Sequence, residues 1–287
     1  MSPPSAGWQL RARSNFKSAA ALPVDARRAR LEWLALAEHI EAAGGTVCAL
    51  RNDDDALTGM PFAAEAGHVV GNTFLLPRML HAHRQPERML WQALAEAMGL
   101  QLAAPSHGVW EAQGDVAMHD GATLLFYGGR TTHDALSEVR SFFAEPGRQG
   151  QHAPILELEI REPAFHGNMA LLSLPDRVLA CRSAFAPRSW EALSARFRVE
   201  EITETELRLY ATNGLSVGKT FLAPSCAPPR VLGLVRASGL AVRTLVMSEL
   251  CEKAGGASRC LVSVADLDPQ RIPPENRLSR IRDSLEQ

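Results

Sequence analysis

The stretch from Trp110 to Leu136 reads WEAQGDVAMHDGATLLFYGGRTTHDAL, and the grammar of the whole chain can be worked out from it. Two apolar runs, VAMH and ATLLFY, flank the turn residues His119, Asp120 and Gly121, so the pattern predicts a pair of strands about a tight turn. Directly after them, THDALSEVRSFF repeats apolar residues at helical spacing and predicts a helix. The same order returns on both sides. Upstream, HVVGNTFLLP (His68–Pro77) is a hairpin-like pair broken by Gly71 and Asn72, and a helix follows around PERMLWQALAEAMGL (Pro86–Leu100). Downstream come ILELEIRE, then VLACRSAF with a helix at SWEALSARF, then ELRLYAT (Glu206–Thr212) paired with KTFLAP (Lys219–Pro224). VRTLVMSELCEKAGG and an apolar strand within RCLVSVADL (Arg259–Leu267) close the series. Near the start, Asp25 caps a helix whose Leu31, Leu34, Ala35 and Ile40 share a face and which Gly44 and Gly45 stop. Strand pairs alternate with helices and no linker separates them, so the expectation is one α/β domain over 1–287, built of diverged repeats. Residues 1–13 and 268–287 are expected to be peripheral or flexible.

Composition narrows the function classes. The 287 residues carry 30 Lys+Arg against 32 Asp+Glu, a net charge of -2, and so generate no field that would gather nucleic acid or an anionic membrane. No apolar stretch approaches the roughly 20 residues of a membrane span, and MSPPSAGWQLRARSNF lacks the apolar core of a secretory signal. A cytoplasmic location follows as the expectation. The five cysteines, Cys48, Cys181, Cys226, Cys251 and Cys260, are scattered and lack metal-ligand spacing, which fits free thiols in a reducing compartment. Asn52, Asp53, Asp54 and Asp55 mark a solvated loop rather than a metal site, because adjacent carboxylates repel one another without a cation. Neither a metal nor a cofactor is expected.

Three segments carry candidate chemistry. In GGASRCLVSVADL (Gly255–Leu267), Cys260 follows two glycines; backbone NH groups from Ala257 to Cys260 and the cation Arg259 are positioned to lower its pKa. The bland reading is a small core residue entering a strand. In EPAFHGNMALLSL, His166 ends a strand between Phe165 and Gly167 and is the best candidate base, whereas His81, His83, His107, His119, His133 and His152 lie in polar turns or helix flanks. Glu111 and Asp115 open a strand beside a glycine, where a carboxylate is costly unless hydrogen-bonded and so suits holding another side chain.

Taken together, six segments in order resemble the guanidino-group-modifying enzyme superfamily: dimethylarginine dimethylaminohydrolases, arginine deiminases, arginine dihydrolases and amidinotransferases. The resemblance runs from about Ser14 to Leu267. SNFKSAAALPVDARRARLEWLALAEHIEAAGGTV is similar to the family's opening segment, and MPFAAEAGHVVGNTFLLPRM to "PDxVFTANAGLV". WEAQGDVAMHDGATLLFYGGRTTHDAL is similar to "EGGDVL...G...RTN", EPAFHGNMALLSL to the "HLDT" segment, YATNGLSVGKTFLAP to "ACNAVVVG..VVLP" and GGASRCLVSVADL to "GGGSVRCLT". The resemblance implies the pentein fold, a five-bladed αβ-propeller of pseudo-repeats around a central active-site channel. It implies Cys260 as nucleophile, His166 as general acid/base, Glu111 as the carboxylate that orients or assists it, Asp115 as a structural acid and Arg130 as a ligand for a carboxylate. Phe62 and Ser258 fall in segments that line the site. The implied partner is a small molecule, with neither nucleic acid nor membrane, and the implied assembly is a monomer or homodimer.

The departures bear on the substrate. Relatives grip a guanidinium with carboxylates at three positions, and these fall here on Gly59, Glu65 and Asn168. Gln113 stands where the family motif has glycine. The expectation is therefore a cysteine-dependent hydrolase, preferred to an amidino or acyl transferase, acting on a C–N bond of a guanidine, amidine or arginine-derived molecule other than plain arginine. An uncharged amide or ester on the same triad is the alternative substrate. A non-catalytic pentein that only binds, as the ribosome-associated branch of the fold does, is the alternative from another class.

Overall fold

A computed structural model describes residues 1–11, 14–144 and 154–286. One unit recurs four times: an antiparallel hairpin, a helix, and a third strand that returns parallel to the second. The first holds β1 (His68–Val70), β2 (Thr73–Leu75), α2 (Glu87–Ala97) and β3 (Gln101–Ala103), with α1 (Ala26–Ala42) preceding it. The second holds β4 (Val116–His119), β5 (Ala122–Tyr127), α3 (His133–Phe143) and β6 (Ile155–Glu159). In the third, a short helix α4 (Gly167–Ala170) leads into β7 (Leu171–Ser173), β8 (Val178–Ala180), α5 (Pro187–Arg196) and β9 (Val199–Glu201). In the fourth, α6 (Glu204–Arg208) precedes β10 (Leu215–Val217), β11 (Thr220–Pro224), α7 (Pro229–Ala237) and β12 (Ala241–Leu245). The chain ends in α8 (Leu278–Glu286).

Local sequence explains the hairpins. Between β4 and β5, Asp120 and Gly121 both take positive φ, 46° and 71°, the conformation a two-residue turn needs to match strand twist. Register then pairs Val116 with Leu125 and His119 with Ala122. The central strands of each sheet are the most buried: Leu124, Leu125 and Phe126 of β5, Leu179 of β8 and Leu222 of β11 are all sealed. Residues of the four first strands, among them His68, Val116, Leu171 and Leu215, line one shared cleft. The four first strands are therefore disposed around a common centre, and the loops that lead into them carry the candidate site.

Several expectations change. Four three-stranded sheets are present among the described residues; Val47–Leu50 and the segment after Cys260 belong to none of them, and Cys48 makes an isolated bridge with Arg277. RCLVSVADL is not a strand, and ELRLYAT does not pair with KTFLAP. Thr203 and Glu206 form a reciprocal cap that starts α6 and commits Glu206–Arg208 to helix, leaving Leu215–Val217 as the partner of β11. Both ends pack against the body. Trp8 is buried and its indole donates to Thr58 O at 2.8 Å, while Leu278, Ile281 and Leu285 bury one face of α8 against α1. Within the acidic loop, Asn52 Oδ1 accepts from Asp54 N and Asp54 Oδ1 from Ala56 N, an Asx-turn pattern. Among the described residues no helix is long and apolar enough to cross a membrane. His152 lies outside the described residues.

Candidate active site

Cys260 sits in a turn that follows a helical segment, Ser248–Lys253, and the pair Gly255–Gly256. Glycine is needed at 256: a Cβ there would lie 2.5 Å from the Phe62 ring and 3.1 Å from Cys260 Cβ. One side chain organises the turn. Asn213 Oδ1 accepts from Ala257 N at 3.0 Å and Cys260 N at 3.3 Å, and Asn213 O accepts from Arg259 N at 3.1 Å. Those backbone NH groups are thus already occupied, which corrects their expected role in acidifying the thiol. Burial pushes the Cys260 thiol up; its contacts with Asn213 and Asn168 and the charges of Arg259 and Arg130 pull it down without prevailing. Burial thus favours the uncharged thiol.

His166 is fully buried at the N-cap of α4. Its Nε2 lies 2.7 Å from Glu111 Oε2 and its Nδ1 3.3 Å from Glu65 Oε1, so the ring is held between two carboxylates. Gly114 lies under the ring, where a Cβ would approach it to 3.1 Å. Asp115 anchors the loop: Oδ1 accepts from Gly167 N at 2.8 Å and Oδ2 from Thr131 Oγ1 at 2.7 Å. Burial raises the Asp115 carboxyl to about 6. Glu111 is also sealed, accepting from Leu80 N at 3.0 Å. Burial alone would raise its pKa, but the bond and charge of His166, with Arg130 and Arg84, hold it well below the usual carboxylate range.

Of the other sequence candidates, Arg130 places Nη1 3.5 Å from Glu111 Oε2, donates through Nη2 to Ser14 Oγ at 3.2 Å and stands over the Phe165 ring at 4.8 Å. Asn168 is buried; its Oδ1 accepts from Asn213 Nδ2 at 3.0 Å and lies 3.7 Å from Cys260 Sγ. Glu65 and Phe62 line the mouth with Arg130 and Gly59. Ala64 N donates to Cys260 O at 3.0 Å, which brings the Glu65 segment against the cysteine turn. Ser258 is buried with its hydroxyl 3.6 Å from Met247 Sδ, and it is absent from the mouth lining. Gln113 bonds Arg259 and Val264 N.

Sequence reasoning missed Arg84, Glu87 and Asn213. Arg84 Nη1 donates to Glu65 Oε2, Nη2 to Gly59 O at 2.9 Å, and the guanidinium pairs with Glu87, whose Oε1 also accepts from Gly59 N at 2.9 Å. The arginine and both carboxylates are buried. Asn213 was visible as the asparagine of YATNGLSVG; the Arg84–Glu87 pair had only its three-residue spacing at a helix start as a signal. Among the described residues, Glu65, Glu111 and His166 bring one ligand atom each within 4.8 Å and are the group that geometry would allow to hold a metal ion. Both carboxylates already face a guanidinium, Arg84 or Arg130, which supplies the countercharge an ion would bring.

The fold is that of known penteins. The N-terminal domain of ArgZ, carrying a covalently bound reaction intermediate, is 22% identical with a TM-score of 0.81 over 92% of this chain and 95% of that one. ArgZ is an arginine dihydrolase from Cyanobacteria. AgrE, in a complex with ornithine and NAD+, is 21% identical with a TM-score of 0.82 over 93% of this chain, which spans only 39% of AgrE. A dimethylarginine dimethylaminohydrolase, as an adduct with S-methyl-L-thiocitrulline, is 16% identical with a TM-score of 0.72 over 91% of this chain and 96% of that one. No family model matches the sequence, and comparison with curated proteins finds no match.

Proposed function

We propose that the protein is a cysteine-dependent hydrolase that breaks a C–N bond at a planar, electrophilic carbon of a small molecule through a covalent thiol intermediate. The observation that carries this reading is the buried imidazole of His166, bonded to Glu111 through Nε2 with Glu65 beside its Nδ1, on the segment whose Asn168 touches the Cys260 thiol. A buried imidazole bonded to a carboxylate is oriented to carry a proton to a departing amine. Cys260 passes its proton to His166 as its sulfur adds to the substrate carbon, and His166 delivers that proton to the leaving nitrogen. The neutral imidazole then takes a proton from water, whose oxygen displaces the sulfur, and returns it to the sulfur to restore the thiol. Glu111 orients the ring and balances its charge, and Arg130 holds Glu111 and faces the mouth.

Similarity to a structure containing a covalent reaction intermediate supports the chemistry, and it leaves the substrate to be found among arginine derivatives, amidines and amides. Hydrolysis is preferred to group transfer, within one catalytic domain of five structural repeats in which Val47–Leu50 and the segment after Cys260 form the fifth. A monomer or homodimer in the cytoplasm completes the reading. The test is release of ammonia, urea, citrulline or ornithine from such a panel. Cys260→Ala and His166→Ala should each abolish the release while keeping the thermal unfolding midpoint close to wild type. Turnover unchanged in Cys260→Ala would refute the assignment.

A further inference from the structure

The carboxylates around the candidate thiol are answered by the chain's own guanidinium groups. Arg84 spends one terminal nitrogen on Glu65, the other on Gly59 O and Glu87, and its Nε on Glu87 at 3.1 Å. Glu111 is matched by Arg130 and His166. A side chain at position 59 would exclude this arrangement, since a Cβ there would fall 2.0 Å from Arg84 Nε and 2.4 Å from Glu87 Oε1. Toward solvent the mouth adds His81, His83 and Arg130, and Glu65 is the one carboxylate among its lining residues. An acidic cradle shaped for a planar cation exists, and an internal arginine fills it.

We propose that Arg84 is a specificity-determining residue: by occupying this cradle it selects a substrate whose reacting end is an uncharged carboxamide- or urea-type C–N group and rejects a guanidinium. The proposal rests on the reading of the site as a cysteine hydrolase and names its substrate class. A second guanidinium would have to compete with Arg84 for Glu65 and with Arg130 for Glu111 and would be repelled by both arginines in a buried site, whereas a neutral carbonyl oxygen gains from donors there. For a carboxamide, sulfur adds to the carbonyl carbon, the C–N bond breaks, and the amine leaves with a proton from His166. Water then cleaves the thioester, giving a carboxylic acid and the free thiol.

The experiment reads binding without turnover, by calorimetry on Cys260→Ala protein. Guanidinium chloride, methylguanidine and arginine are compared with acetamide, methylurea and citrulline, with sodium chloride as the ionic control. Arg84→Ala in the same background vacates the cradle, and guanidinium should then bind at least tenfold more tightly and raise the thermal midpoint above that in sodium chloride. With Arg84 present, the neutral series should bind more tightly than the guanidine series. Should Arg84→Ala not fold, Arg84→Gln keeps an amide donor while removing the charge, and the same reversal of preference is expected. Guanidines binding as well with Arg84 as without it, or no gain on its removal, would overturn the proposal. Loss of the hydrolase reading would appear separately, as absence of turnover in wild type, and leaves this binding result standing.

Discussion

At the scale of single residues, burial of the Cys260 thiol has a measurable consequence. Alkylation of Cys260 by iodoacetamide should be slow at pH 7 and should climb only above the ordinary thiol range, because burial favours the uncharged form. Half-buried Cys226, whose pKa is lowered chiefly by its contact with Cys251, should label first. A Cys260 labelling midpoint below that of Cys226 would contradict the account. Glu111→Gln should keep the shape of the site but remove the charge facing His166, lowering kcat by roughly 10²-fold or more; unchanged kcat would mean that the carboxylate is structural. Cys260, His166 and Glu111 were legible through the family resemblance, since each alone reads more readily as a core or loop residue; the structure bonds His166 to Glu111 and sets Asn168 of the same segment against Cys260. Arg84 was not: its partner Glu65 lies nineteen positions away and neither residue looks unusual in its local stretch. Gly59 likewise read as a lost carboxylate, when the space beside it holds a guanidinium.

At the scale of elements, the cysteine turn depends on a staple from another repeat. Asn213→Ala would leave two buried NH groups without their acceptor, at a cost of about 1–3 kcal/mol each, and would loosen the turn. Lower stability in urea, together with faster alkylation of Cys260, is expected; stability within error of wild type would mean that Asn213 does not hold the turn. Gly256→Ala should cost activity more than stability, since its Cβ pushes on Phe62 and Cys260 together; full activity would remove the tight fit at that glycine. The hairpins were readable because turn residues and alternating apolar runs are local signals. ELRLYAT was misread since Leu207, Leu209 and Ala211 alternate as a strand would, yet Thr203, just outside that window, caps a helix with Glu206 and wins. RCLVSVADL has strand composition but joins none of the sheets among the described residues: Arg259, Cys260 and Leu261 lie in a turn and the residues after it carry no ladder.

At the scale of the whole molecule, four hairpin–helix–strand units face a common centre, and polar links between their loops hold the site together. Asp115 is one such link, bonding Thr131 within its own unit and Gly167 of the next. Its carboxyl, raised by burial from 3.8 to about 6, binds more protons folded than unfolded between those values. Its contribution to stability is therefore fully present below the unfolded pKa and is lost as pH rises through about 6, on the order of 3 kcal/mol at full extent. The difference in unfolding free energy between Asp115→Asn and wild type should shift in favour of the variant from pH 4 to pH 7; a flat difference would contradict the raised pKa. Repetition was legible from the recurring strand pairs, whereas the packed ends were not, because Trp8 and α8 find their partners in distant segments. The central claim, that Cys260 forms a covalent bond to substrate carbon, is tested most directly by intact-protein and peptide mass spectrometry after acid quench of wild type with the substrate panel. A mass increase equal to the substrate minus its leaving amine, confined to the Cys260 peptide and absent in Cys260→Ala, is the expected result. Turnover of a panel member with the same product in Cys260→Ala, or an adduct on another residue, would contradict it.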